Sequence, residues 1–207
     1  MTTPDAITRP LRADAQRNRD KIVAAARDCF SEDGLDAQME DVARRAGVGV
    51  GTVYRHFPTK DALVRALVVA QMEAMTARGP EFLAEADRDA WGAFSGFMRA
   101  CAGKHEGDRG LAQVISTQPA ESFIDVAMDT GLMRVTGQLL VAAQEAGVAR
   151  RDLVATDVGL TMCGLSAVLE SFGEAGGRRY LELVLNGMRN HEEPRLPAAP
   201  RIARSRD

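Results

Sequence analysis

The chain has 207 residues, 45% apolar and 5% aromatic, and its 26 Lys and Arg against 29 Asp and Glu leave a net charge of −3. The apolar share suffices for a sizeable core in one large domain or two small ones, whereas scarce aromatics and the lack of long β-branched alternating runs exclude a β architecture. Cys29, Cys101 and Cys163 are far apart with no Cys-x-x-Cys pair, so neither a disulfide framework nor a metal centre is expected. No apolar leader and no run of about 18 apolar residues is present, which points to a soluble cytoplasmic protein.

In chain order, residues 1–12 are polar with Pro4 and Pro10, and a disordered basic arm is expected there. Charge is uneven: residues 1–60 carry ten basic against nine acidic side chains, residues 61–207 sixteen against twenty. Arg9, Arg12, Arg17, Arg19 and Lys21 oppose only Asp14 and Asp20, so a local positive patch can neutralise phosphates although the whole chain is acidic. A first helix is predicted from about Asp14 to Asp33, with Ile22, Ala25, Ala26, Cys29 and Phe30 on one face and Gly34 as its stop. Two short helices follow over roughly 39–46 and 50–56, meeting at Gly47, which supplies the positive φ of a tight turn. Gln38 and Gly49 are weak caps for them. The second carries small and hydrogen-bonding side chains rather than an apolar stripe, which is the organisation of a helix-turn-helix whose second helix enters the DNA major groove.

Thr59 is the expected N-cap of a long helix to about Arg78, with Leu63, Ala66, Leu67, Ala70 and Met75 inward and Gly79-Pro80 as its end. Periodicity gives further helices over about 81–86, 89–103, 110–118 and 121–146, the last broken near Gly131 or Gly137. After a turn at Gly147, helices are predicted over 152–172 and, beyond Gly176-Gly177, over 178–189. The Pro- and Arg-rich residues 191–207 are expected to be a disordered tail.

The stretch Gly34 to Leu63 resembles the DNA-binding segment of the TetR family of one-component transcriptional regulators. Gly34, Val42-Ala43, Ala46-Gly47-Val48, Gly51-Thr52, Tyr54, His56-Phe57 and Lys60 fall at that family's spacing, with a looser match from Ile22 to Phe30. The resemblance implies an all-α protein: a helix-turn-helix domain over 13–60, then a helical ligand-binding and dimerisation domain over 61–190. It also implies a homodimer, paired through its two C-terminal helices, on a palindromic operator in double-stranded DNA, released by a small-molecule effector, with no cofactor. By the family's pattern Val50, Gly51 and Thr52 read bases, Tyr54 packs on sugar and phosphate, and His56 and Lys60 contact phosphate. Arg55 suits a guanine edge or a phosphate oxygen, and Arg17 and Thr59 complete the expected DNA set. Val53 and Phe57 are assigned to the core.

Aromatic and methionine side chains suit an irregular apolar cavity, and the proposed wall comprises Trp91, Phe94, Phe97, Met98, Phe123, Met128 and Met162, with Phe82 and Met133 as further candidates. Arg99, Glu121, Asp125 and Glu170 are the charged residues that could orient a ligand. Enzyme signatures fail on spacing. Gly47-Val48-Gly49-Val50-Gly51 follows a helix rather than a strand, Gly164-Leu165-Ser166-Ala167-Val168 lacks the second glycine of a nucleophile elbow, and Cys101 with His105 is half a metal site at most. The alternative to a regulator is an all-helical small-molecule-binding or enzymatic domain with a non-functional helix-turn-helix.

Overall fold

The computed structural model describes residues 5–103, 120–190 and 196–197, together with their side chains except those of 5–13 and 120–122. The described residues form helices, without a β-strand beyond one isolated bridge. They gather into two compact units, one ending at Leu67 and one beginning at Val68. The sequence expectation puts the junction at 60/61; Leu63, Val64, Ala66 and Leu67, between the two positions, are buried.

In the first unit, α1 (Asp5–Asp33) starts nine residues before the expected Asp14, so helical backbone replaces the disordered arm from Asp5 onward. Ala6, Arg9, Leu11, Arg12 and Ala13 in that stretch favour helix, while Pro10 removes only one backbone bond near the helix start. Ile22, Ala25, Ala26, Cys29 and Phe30 are buried, as their spacing predicts. A 3-10 turn over Gly34–Asp36 leads to α2 (Met39–Ala46), which packs on α1 and buries Met39, Val42 and Ala43. Gly47 ends α2 in the left-handed region (φ 67, ψ 34), with its own N–H on the Arg44 carbonyl and the Val48 N–H on that of Ala43. α3 (Val50–His56) follows, and Thr59 Oγ1 accepts the Ala62 N–H at 3.1 Å at the start of α4 (Lys60–Ala86).

α4 does not stop at Gly79-Pro80 but runs through both residues into the second unit's fold. Pro80 forfeits one helical hydrogen bond, and Gly79 serves contact rather than termination: a Cβ there would lie 2.7 Å from Val135 Cγ1 and 2.8 Å from Cγ2. α5 (Ala90–Gly103) is started by Asp89, whose carboxylate accepts the Gly92 N–H at 2.8 Å. α6 (Ala120–Asp129) and α7 (Leu132–Glu145) are separated by Gly131 at φ 77, one of the two expected break points. The helix expected over 110–118 and nearly all of the tail over 191–207 lie outside the described residues. α8 (Ala155–Met188) bends at Gly173 (φ 66, ψ −168), immediately after Phe172, where the first of the two predicted C-terminal helices is expected to end. Gly177 is instead buried in helix against Leu165 and Leu169, where its missing side chain allows close packing. The core joins Phe94, Phe97 and Met98 of α5 to Leu139 and Leu140 of α7 and Leu165, Leu181 and Leu185 of α8. After α8 the chain is tied back to the α7–α8 connection, where the Asn190 N–H donates to the Val148 carbonyl and the Arg150 N–H to that of Met188, both at 3.0 Å.

Two substitutions test these glycines. Gly47→Ala has open space for its methyl but must hold a left-handed φ, so urea denaturation should show a loss of about 1 kcal/mol. Gly79→Ala should cost about 1–3 kcal/mol through overpacking against stiff Val135. Adding Val135→Ala should cost less in the Gly79→Ala background than in the parent, and strict additivity would refute the contact.

Candidate nucleic-acid interface and effector cavity

Val53 is fully buried and Phe57 nearly so, and these two anchors set the rotation of α3. A helix anchored on that side turns its remaining residues outward: Val50, Gly51, Tyr54 and Arg55 are exposed and Thr52 half-buried. Tyr54 is a large ring left 43% exposed, an unfavourable placement for a side chain whose only role is packing. Nothing lies within 4 Å of a Cβ built on Gly51, so the helix surface there is open to close approach.

The basic groups of this unit divide by their partners. Arg45 makes a two-pronged pair with Glu32 at 2.9 and 2.6 Å. Those hydrogen bonds hold the Glu32 carboxyl below its ordinary range and raise the guanidinium. Arg44 pairs with Asp41, and Arg17 with Asp14. Arg19 lays its guanidinium over the Phe57 ring, 5.2 Å from the centroid. Arg55 alone among the expected base-readers is a long donor, and among the described residues it has no ion pair or hydrogen bond. These surface pairs contribute little stability, and a phosphate can compete for any of them.

Two expected phosphate contacts are placed differently. The Lys60 ammonium donates to the Leu35 carbonyl and lies 5.5 Å from the centre of the Phe30 ring. It therefore fastens the start of α4 to the turn after α1. His56 is partly buried, and its Nε2 is enclosed with no hydrogen-bond partner among the described residues. Thr59 spends its hydroxyl oxygen on the α4 cap. Burial pushes the Cys29 thiol up, which makes it an inert core residue.

The second unit contains a cavity of about 340 Å³. Of the wall proposed from sequence, Met98, Phe123, Met162 and Met133 line it, whereas Trp91, Phe94, Phe97 and Met128 do not. Phe94 and Phe97 are wholly buried core, Phe97 meeting Phe82 edge-on at 5.3 Å. Trp91 lies 5.8 Å from Phe94 with the Arg189 guanidinium 4.7 Å above it. Met128 is 41% exposed, because the helical turn puts its neighbours Ile124 and Ala127 on the cavity side. Arg99 is spent on Glu182 at 2.7 and 3.0 Å, while Glu170 does line the cavity. Sequence reasoning missed Gln71 and Met72 of α4; with Val68 and Met75 they form a helical stripe that could have shown them.

Residues 22–67 match the family model for bacterial regulatory proteins of the tetR family, and residues 89–190 match that for the C-terminal domain of SbtR-like transcriptional regulators. A TetR transcription regulatory protein from Mycobacterium vanbaalenii is 34% identical, with 87% of this chain covering 100% of that one at a TM-score of 0.56. The HTH-type transcriptional regulator UidR of Escherichia coli K12 is 36% identical over 69 residues, which are 33% of this chain and only 35% of UidR. RolR, solved with resorcinol, shares the fold at 19% identity, with a TM-score of 0.67 over 86% of this chain and 90% of that one. No helix among the described residues is long and apolar enough to cross a membrane.

Because Lys60 is tied to Leu35, Lys60→Met should destabilise the fold by about 0.5–1.5 kcal/mol in thermal or urea unfolding. Arg55→Ala should leave stability within about 0.5 kcal/mol of the parent. The reverse ranking would contradict the assigned roles.

Proposed function

The chain belongs to the TetR family of bacterial regulatory proteins, and from that membership we propose that it is a sequence-specific DNA-binding repressor, released from its operator by a small molecule. The carrying observation is the outward face of α3, where Val50, Gly51, Thr52, Tyr54 and Arg55 stand clear over the buried Val53 and Phe57. Val50 can touch a thymine methyl, the Thr52 hydroxyl can serve a base or a phosphate, and Arg55 has the donors for a guanine edge. Tyr54 reaches the sugar–phosphate backbone, with His56 as a further phosphate partner and Arg17 and Lys60 as others once their internal bonds give way.

A single α3 reads too few base pairs to define a site, so the working unit is a two-fold dimer whose reading helices are about 34–36 Å apart on a palindrome. Support for pairing through α8 comes from its uncovered apolar side chains: Leu160, Leu183 at 61% exposure and Phe172 at 75%. Occupying a promoter is enough to repress. The cavity supplies the release step: a ligand that binds better to the conformation with mis-spaced reading helices draws the protein off DNA by that difference in affinity. α4 has a part in both processes, since its first turn holds Lys60 while Gln71, Met72 and Met75 line the cavity.

Selection of bound duplexes from a random pool should enrich a palindrome, with affinity falling steeply as salt rises. Tyr54→Ala should weaken that binding, and Arg55→Ala should lose about 1–3 kcal/mol of preference at one symmetric position. A monomer that binds every duplex equally and feebly, unchanged by either substitution, would refute the reading in favour of an all-helical ligand-binding domain.

A further inference from the structure

The cavity wall is one-sided in its polar chemistry. Thr136 donates its hydroxyl hydrogen to the Leu132 carbonyl at 2.9 Å, and Ser166 donates to that of Met162 at 3.2 Å. Both hydroxyls therefore offer only lone pairs to a guest. Burial pushes the Cys163 thiol up and keeps it neutral. Among the described lining residues the Gln71 carboxamide is the strong donor, and Glu170, itself exposed to solvent, brings a carboxylate with no basic partner among the described residues. No Lys, Arg or His is found among the described lining residues. The rest of the described wall is mostly apolar and rich in methionine, with Met72, Met75, Met98, Met133 and Met162 lining it beside Phe123 and Cys101. Thioethers are polarizable and adapt to irregular shapes, so this part of the wall selects for bulk rather than for outline.

We propose that the cavity takes a protonated amine on a compact apolar body, the ammonium meeting Glu170 and the body lying among the methionines. This rests on the effector role given to the cavity above. An ammonium has three donors and no acceptor, which complements a wall of lone pairs. A carboxylate or phosphate guest would bring a like charge to Glu170 and find no cation among the described lining residues to offset its desolvation. A neutral alcohol satisfies the hydrogen bonds but gains no ion pair with Glu170.

Three near-isosteric probes separate these cases: 4-phenylbutylamine, 4-phenylbutan-1-ol and 4-phenylbutyrate, titrated calorimetrically at pH 7 into the full chain without DNA. The amine should bind at least tenfold more tightly than the carboxylate, with the alcohol between them. Glu170→Gln should bring the amine down to the alcohol's affinity. Gly159→Leu projects a side chain toward Ile124 and Met133, each 3.9 Å from a Cβ built there, and should weaken amine and alcohol alike while the unfolding transition persists. Equal or tighter binding of the carboxylate, an amine affinity indifferent to Glu170→Gln, or no binding by any probe would overturn the proposal. Amine binding in the expected order without any change in duplex affinity would uphold the cavity's chemistry and refute its effector role instead.

Discussion

Burial of Val53 and Phe57 is the constraint from which the reading surface follows. A seven-residue helix has too few backbone hydrogen bonds to stand alone, so α3 exists because its inner edge is held against α2 and the rest of the first unit. Holding that edge decides which side chains face out. The turn at Gly47 sets the angle at which α3 leaves α2, and a left-handed residue at that position makes the change of direction abrupt. The outward residues contribute little to folding, which leaves them free to be chosen for contact with a duplex.

The first unit was more legible in the sequence than the second, for a physical reason. Its elements are short and punctuated by residues with one dominant use: Gly34 and Gly47 at positive φ, Thr59 as a cap, and a strict apolar stripe from Ile22 to Phe30. Punctuation misled where the same residue type had a competing use. Gly79-Pro80 looks like a stop, yet the helix continues because Gly79 is where Val135 comes close. Of the interval left between the helices expected to end at Phe172 and to start at Arg178, only Gly173 makes the bend, while Gly177 is spent on contact with Leu165 and Leu169. Local composition cannot say which use wins, because the partner is far away along the chain.

A similar limit applied to side-chain roles. Aromatic residues suggested a cavity wall, but Phe94 and Phe97 are the best core-fillers of α5 and were consumed in packing. The cavity is left to the more flexible methionines, to Phe123 and to a stripe of α4 in which Gln71 alone is polar. Lys60 is the converse case. Its family position suggests a phosphate contact, while the structure shows an internal fastening to Leu35 and Phe30, visible only once the turn after α1 is brought beside α4. These two roles compete for one ammonium, so any contact it makes to a phosphate is made at the expense of the fastening.

The bend at Gly173 puts Phe172 at the edge of α8 with three-quarters of its surface in water, and Leu183 shares that exposure further along the helix. Side chains of this size are costly to hydrate, so in the dimer proposed above self-association through α8 removes a free-energy burden that the isolated subunit carries. Mass action then ties the folded population to total protein: when copies are few, the C-terminal unit is less stable and more open to proteolysis. Cellular abundance would thereby become a second input to the molecule, independent of anything bound inside it.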